Sequence, residues 1–282
     1  MEQMTDVRGK VRITDLLEMK RAGRKITMLT AYDATMAHLI DNAGIDVILV
    51  GDSLGMVVMG EDTTVGVTLD AMVHHTRAVV NGTRRAFVIA DMPFLTYHAS
   101  LPEAVRNARR LMQEGGASAV KLEGGVAVAR VIRRLTDIGV PVIGHVGLVP
   151  QSVHKLGGFR PTGRTSEEAQ QILLDARAVQ QAGASAIVLE SIPADLAERI
   201  TRESEIPTIG IGAGPHCDGQ VLVSYDAFGF FDAFTPRFVK RYAELGVALT
   251  EAAKQYIAEV RSGAFPAPEH SVLPQRARAK VG

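Results

Sequence analysis

Eight short runs rich in β-branched residues recur at nearly regular intervals, and the stretches between them are longer, amphipathic and often closed by glycine; together these predict an α/β chain folded as a (β/α)8 (TIM) barrel. A third observation supports one closed architecture: no low-complexity linker interrupts the 282 residues, a length that suits a single barrel-sized core. The strand candidates are KITMLTAYD (25–33), DVILVGD (46–52), AFVIADMP (86–93), AVKLEGG (119–125), PVIGHVGL (141–148), AIVLES (186–191), PTIGIGAG (207–214) and, less sharply, VLVSYDAFG (221–229). Helical segments fall at 34–44, 68–82, 101–116, 126–139 and 165–183, and most end on a Gly able to take the left-handed C-cap conformation. RITDLLEMKRAG (12–23) is an extra N-terminal helix, expected across the bottom of the barrel, and residues 237–263 form a C-terminal helical region. The expected organisation is one domain over 1–282, with 265–282 a mobile tail.

Composition narrows the function classes. Lys plus Arg and Asp plus Glu both total 31, so nothing favours nucleic acid or anionic lipid, and a small-molecule ligand is the expectation. The N-terminus has no apolar signal core and no run approaches a membrane span, which points to a cytoplasmic protein with no membrane partner. Cys217 is the sole cysteine, so neither an internal disulfide nor a cysteine-type metal site is available.

In a parallel barrel the active-site face is built from the C-terminal strand ends and the loops that follow them. Titratable groups cluster there: Asp33, Asp52 beside Ser53, Asp91, Lys121 with Glu123, His145 and Glu190. One such carboxylate could simply cap a helix. Successive strands ending this way are better explained by one convergent polar pocket, because buried charges persist only when paired or bound to metal. Asp52 and Asp91 on neighbouring strands, with Glu123 on the next, suit a hard divalent cation held through oxygen, with Mg2+ the expected ion and positions left for a chelating 2-oxo acid. Lys121 adds positive charge beside the same ligand; the plain alternative is an Asp–Lys–Glu salt-bridge network capping the barrel. Weaker features read as structure. GIGAG (210–214) lacks the Lys-Ser/Thr of a phosphate loop and suits tight backbone, and His74–His75 lies within a helix. The long stretch 150–168, with His154 and Lys155, is expected to be a loop over the site.

TAYDATMAHLIDNAGIDVILVGDSLGMVVMGEDTTVGVTLDAMVHHTRAV, IADMPF, VKLEGG, GHVGLVPQSVHKLGGFRPTGR, VLESIP, IGIGAGPHCDGQVLVSYDAFG and PRFVKRYAELG occur in this order, and together the chain resembles the ketopantoate hydroxymethyltransferase family over about residues 10 to 270. The resemblance implies a (β/α)8 barrel that uses Mg2+ and moves a one-carbon unit from 5,10-methylenetetrahydrofolate to C3 of 3-methyl-2-oxobutanoate (2-oxoisovalerate), giving 2-dehydropantoate for pantothenate synthesis. By the same resemblance Asp52, Asp91 and Glu123 match the metal set, Ser53 and Lys121 join Asp52 and Asp91 in binding substrate, and Glu190 matches the catalytic proton acceptor. His145 is a possible proton relay. A homo-oligomer, a decamer of two five-membered rings, is also implied. The rival enzyme reading is an Mg2+-dependent 2-oxo-acid lyase or mutase of the phosphoenolpyruvate mutase/isocitrate lyase type, although the KKCGH-like segment of isocitrate lyases is absent. A barrel that merely binds a metabolite would leave the strand-end set unused.

Overall fold

The structure is a computed structural model that describes residues 9–230 and 236–272. Contacts divide the chain into two compact units, one of Met1–Ser224 with Pro236–Val239, the other of Tyr225–Thr235 with Lys240–Gly282.

In the first unit eight parallel strands close on themselves: β1 (Ile26–Thr30), β2 (Val47–Val50), β3 (Phe87–Asp91), β4 (Ala119–Glu123), β5 (Val142–Gly147), β6 (Ala186–Glu190), β7 (Thr208–Ile211) and β8 (Gly219–Leu222), with β8 pairing back onto β1. The helices, in chain order, are α1 (Ile13–Arg21), α2 (Ala34–Asn42), α3 (Leu54–Val57), α4 (Leu69–Gly82), α5 (Leu101–Arg109), α6 (Ala129–Asp137), α7 (Val153–Leu156), α8 (Ser166–Gln181), α9 (Ala194–Glu203), α10 (Ser224–Ala227) and α11 (Leu245–Ser262). This is the (β/α)8 barrel that the alternation predicts.

Strand periodicity builds the core. Every second residue points inward, so Ile26 and Met28, Val47 and Leu49, Phe87 and Ile89, Ile143, Val188, Ile209 and Val221 fill the barrel as one cluster. Each such side chain contributes about 1.5–3 kcal/mol by leaving water. The intervening residues face the helices. On β5 that approach is close enough to require Gly144, since a Cβ there would overlap Val179 of α8. α1 closes the N-terminal end as expected: Leu16 and Met19 join the interior cluster, Val11 N–H donates to Arg85 O ahead of β3, and Lys20 reaches Asp218 ahead of β8.

Two boundaries and one helix differ from the sequence expectation. The eighth strand is Gly219–Leu222 rather than 221–229, and Ser224–Ala227 is helical. The Asp218 carboxylate accepts from Thr208 N–H and hydroxyl and pins the chain beside β7 before the strand begins, while Ser224 N–H donates to Thr30 Oγ1 and turns the chain after it. Gly219 carries no β signal, yet a Cβ there would lie 2.5 Å from Ile26 O, so only Gly fits the seam. The helix α9 between β6 and β7 went unassigned, although Leu196, Ala197 and Ile200 form its buried face. Within the second unit α11 begins at Leu245 instead of 237, because Tyr242 and Leu245 N–H groups donate to Ala227 and Phe228 carbonyls and hold the preceding residues in turns.

α11 buries no residue, and its Tyr256 packs edge-on against Phe265 beyond the helix, which in turn contacts His270. Pro268–His270 form a 3-10 turn inside the tail expected at 265–282; residues 273–282 of that tail lie outside the described residues. Among the described residues no helix is long and apolar enough to cross a membrane.

Candidate active site

The inward column that supplies the apolar core continues upward into charge. Two residues beyond Ile89 stands Asp91; two and four beyond Ala119 stand Lys121 and Glu123; two beyond Ile143 stands His145, and two beyond Val188 stands Glu190. Parallel register places neighbours side by side: Asp91 pairs with Lys121, Glu123 with His145, and Gly147 with Glu190. Thus a pattern of period two carries polar side chains into the barrel mouth at the C-terminal strand ends.

Contacts join them into one buried group. Lys121 Nζ lies 3.0 Å from Asp91 Oδ1 and 3.2 Å from His145 Nδ1. His145 Nδ1 is 3.5 Å from Glu123 Oε1, and its Nε2 is 3.1 Å from Glu190 Oε2. The Asp52 N–H donates to Asp91 Oδ2 at 3.1 Å, which sets the two aspartates against each other at the top of β2 and β3. Asp52, Asp91, Lys121, Glu123 and His145 are all at least 95% buried, while the Glu190 side chain retains 16% exposure and is the member of the pair open toward solvent. Ser53 is half-buried and its hydroxyl bonds the Tyr32 hydroxyl at 2.8 Å. A Cβ on Gly51 would stand 2.8 Å from Ser53 Oγ and 3.6 Å from Asp91 Oδ2, so this glycine keeps the space between them clear.

Electrostatics follow from four carboxyl groups facing one ammonium and one imidazole. Burial, followed by Asp91 and Glu123, pushes the Asp52 carboxyl well above its usual range despite Lys121 and a hydrogen bond from Gln151. Burial also raises Asp91, against the pull of Lys121. At Glu123 burial is outweighed by the bond to His145 and the charges around it, which lower its pKa. Lys121 is held charged: burial opposes this, but Asp91, Glu123 and Asp52 together win. Burial and Lys121 disfavour the His145 cation, yet Glu123 and Glu190 raise its pKa to about 9.

The donor set fits a hard divalent cation. Its free donors are carboxylate oxygens, the acids outnumber the fixed cations, and Asp91 Oδ1 has the Lys121 ammonium beside it without a well-aligned hydrogen bond. The fit lies in this chemistry and not in a finished cage, because no three acidic, His or Cys side chains among the described residues are already arranged around one point.

Asp33, by contrast, stays outside the group: it is exposed, and its carboxylate caps α2 by accepting from Met36 N–H. His74 is exposed, and His75 Nδ1 contacts Tyr32 O and so ties α4 to the loop between β1 and α2. Gly212 and Gly214 both take positive φ, the tight backbone expected of 210–214. His154 and Lys155 are exposed on the short α7.

Two members were missed in the sequence. Gln151, 4% exposed, donates its side-chain amide to Asp52 Oδ2 and its backbone N–H to Glu123 Oε2. Tyr97, 1% exposed, donates its hydroxyl to Gln151 Oε1 and accepts from Glu123 N–H. Burial, with Glu123 next, keeps that hydroxyl protonated. Neither carries a charge or sits on a strand, so the search for titratable strand ends could not reach them.

Comparison with known proteins places this arrangement. Among solved structures, phosphonopyruvate hydrolase in complex with oxalate and Mg++ superposes with a TM-score of 0.60 at 15% identity over 92% of this chain and 93% of that one. A 2,3-dimethylmalate lyase of the phosphoenolpyruvate mutase/isocitrate lyase superfamily superposes at 0.57 with 18% identity, over 93% and 92%. At those identities the likeness is one of fold. A 3-methyl-2-oxobutanoate hydroxymethyltransferase of Pelobacter propionicus is 56% identical over 95% of this chain and 99% of its own length, and one of Moorella thermoacetica is 56% identical over 94% and 98%. The family model described as ketopantoate hydroxymethyltransferase matches residues 10–268, and with that match and those relatives spanning nearly the whole barrel, the chain belongs to the ketopantoate hydroxymethyltransferase family.

Proposed function

We propose that this enzyme transfers the one-carbon unit of 5,10-methylenetetrahydrofolate, with water supplying the hydroxyl oxygen, to C3 of 3-methyl-2-oxobutanoate, forming 2-dehydropantoate and tetrahydrofolate. The observation that carries the reading is the Glu190–His145 pair, 3.1 Å apart at the barrel mouth, beside the buried Asp52, Asp91, Lys121 and Glu123 group. Asp52 and Asp91, with Glu123 directly or through water, would hold Mg2+. When bound, the cation supplies Lewis-acid polarisation of the oxo acid.

The chain's own residues account for the rest. Glu190 takes the C3 proton, since it is the carboxylate of the group left partly open and so within reach of a substrate entering from solvent. His145 Nε2 stands 3.1 Å from Glu190 Oε2, without a well-aligned hydrogen bond, and places its charge beside the carboxylate. Lys121, charged and fixed between Asp91 and His145, balances the negative charge that develops when the proton leaves. Ser53, placed by Tyr32, donates its hydroxyl toward the substrate carboxylate. No covalent nucleophile is required, and Cys217 is buried with its thiol pushed up by that burial.

Exchange of the C3 proton of 3-methyl-2-oxobutanoate with deuterated water, followed by NMR without folate, isolates the proton-transfer step. Glu190→Gln keeps shape but accepts no proton, so exchange should slow by about 10²–10⁴-fold while oxo-acid binding persists. Wild-type exchange in that variant would move the proton to His145 or to a water held by Glu123.

The second reading, a folate-independent 2-oxo-acid lyase or mutase, draws on the barrel likeness to the phosphonopyruvate hydrolase and dimethylmalate lyase structures. Turnover of the oxo acid that is indifferent to methylenetetrahydrofolate would favour it. A homo-oligomer suits the apolar residues that α11 exposes, Val247, Leu249, Tyr256 and Ile257 among them, and sedimentation of the full chain tests it.

A further inference from the structure

Gln151 lies in the first turn after β5, on the segment Pro150–Ser152, where nothing in its residue type marks it out. Its side chain is nonetheless fully committed. Nε2 donates to Asp52 Oδ2 at 2.8 Å and to Met92 O at 3.0 Å, and Oε1 accepts from the Tyr97 hydroxyl at 2.7 Å. Two acceptors on one side and a hydroxyl donor on the other leave only one orientation for the amide, so it cannot flip. The backbone N–H of the same residue donates to Glu123 Oε2 at 2.9 Å. One residue therefore occupies one oxygen of Asp52, in the turn after β2, and one of Glu123, at the end of β4, and restricts the final torsion of each.

We propose that Gln151 is a positioning residue for the cation-binding carboxylates, and that by engaging Asp52 Oδ2 and Glu123 Oε2 it determines which oxygen each acid presents to a divalent cation. The proposal rests on the reading that Asp52, Asp91 and Glu123 receive such a cation. Tyr97 is the second half of the device. Its hydroxyl donates to Gln151 Oε1 at 2.7 Å, with Glu123 O a longer second acceptor at 3.2 Å, and it accepts the Glu123 N–H, so it ties the amide to the strand that carries Glu123. The consequence reaches the loop after β5: Gln151 begins the segment that runs to α8, so cation binding and the placement of that segment are coupled through one amide.

Mn2+ titrated into the purified protein in the presence of 3-methyl-2-oxobutanoate, with bound metal followed by electron paramagnetic resonance, reads this without turnover. Gln151→Met preserves length and the backbone N–H but removes the amide, and should weaken Mn2+ by about 10–100-fold, the usual loss when a partner behind a metal ligand is removed. Tyr97→Phe should weaken it in the same direction by less, since the amide keeps its other contacts. Melting is recorded alongside, because a purely structural role lowers the melting temperature and leaves Mn2+ affinity alone. Folded Gln151→Met with affinity within about twofold of wild type, far short of that 10–100-fold loss, overturns the proposal alone. Should that variant melt below assay temperature, unchanged affinity in Tyr97→Phe overturns it instead. Wild-type protein that binds no Mn2+ overturns the cation reading beneath it as well.

Discussion

Both ends of this barrel bury carboxylates, and the two ends treat them in opposite ways. At the N-terminal end each acid is matched. Asp41 accepts from the Arg84, Arg85 and Ala86 N–H groups; Asp46 takes Thr27 N–H, its hydroxyl and Arg85; Asp218 takes Thr208 twice and Lys20. At the C-terminal end Asp52, Asp91, Glu123 and Glu190 share Lys121 and His145, and burial, with Asp91 and Glu123 beside it, pushes the Asp52 carboxyl well above its usual range. The first arrangement lowers the energy of the fold, and the second stores a conflict that a bound cation and an anionic substrate can resolve. Conserving the barrel while spending stability at one rim is what separates a structural charge from a functional one here.

The largest test of that contrast is at Asp91. Replacing it by Asn should reduce the rate of hydroxymethyl transfer by about 10²–10³-fold, since several kcal/mol of charge stabilisation is lost and each 1.36 kcal/mol is tenfold. The buried Lys121 loses its nearest counter-ion, 3.0 Å away, and keeps Glu123 and Asp52, so the melting temperature should fall and is recorded beside the rate to show that the variant is folded in the assay. Near-normal steady-state rates in Asp91→Asn would dissolve the distinction between the ends.

How much of this contrast the sequence reveals depends on how local its signals are. The alternation of β-branched runs with amphipathic stretches is local, so seven strand candidates overlap the strands closely, and Asp91, Lys121, Glu123, His145 and Glu190 converge because period two is itself a local rule, whereas Asp52, three residues beyond Leu49, joins them from the turn after β2. The eighth strand slipped because its start, Gly219–Gln220, is strand only by virtue of the Asp218 clasp and the contact with Ile26. Asp33 looked like its neighbours, yet a strand end and a helix N-cap coincide there, and the cap won. Gln151 and Tyr97 were illegible for a different reason: their roles exist only across separations of 99 residues to Asp52 and 54 to each other, which no spacing rule encodes.

A smaller effect is expected at the matched end. Both oxygens of Asp41 are used by backbone donors, so Asp41→Asn must turn an NH2 group toward an N–H and leave a buried donor unmet. That should cost about 2–3 kcal/mol, lowering the melting temperature by about 2–4 °C per kcal/mol, with kcat and KM of the folded enzyme unchanged. Differential scanning calorimetry beside steady-state kinetics checks both halves, and loss of activity at an unaltered melting temperature would show that the bottom network also serves the reaction.

The smallest effect is the most discriminating, because it makes the same chemical change at the opposite end. Asp52→Asn removes a carboxyl that burial, Asp91 and Glu123 all oppose in its charged form, while an Asn carbonyl can still accept from Gln151. The sign follows from linkage. A carboxyl whose pKa is raised in the folded state binds more protons there than in the unfolded chain, so wild-type stability falls as pH climbs from the ordinary carboxylate range toward the raised folded value. The amide does not titrate and escapes that loss. Metal-free Asp52→Asn should therefore melt at nearly the wild-type temperature under acidic conditions and above it at neutral pH, by the roughly 0.5–2 kcal/mol of one relieved conflict, at about 2–4 °C per kcal/mol. Adding Mg2+ with the oxo acid should close or reverse the gap, since wild type then gains a ligand that the variant holds poorly. Melting curves across pH, with and without cation, decide it: a variant that melts lower than wild type at neutral pH without metal would mean that Asp52, like Asp41, is there to hold the barrel together.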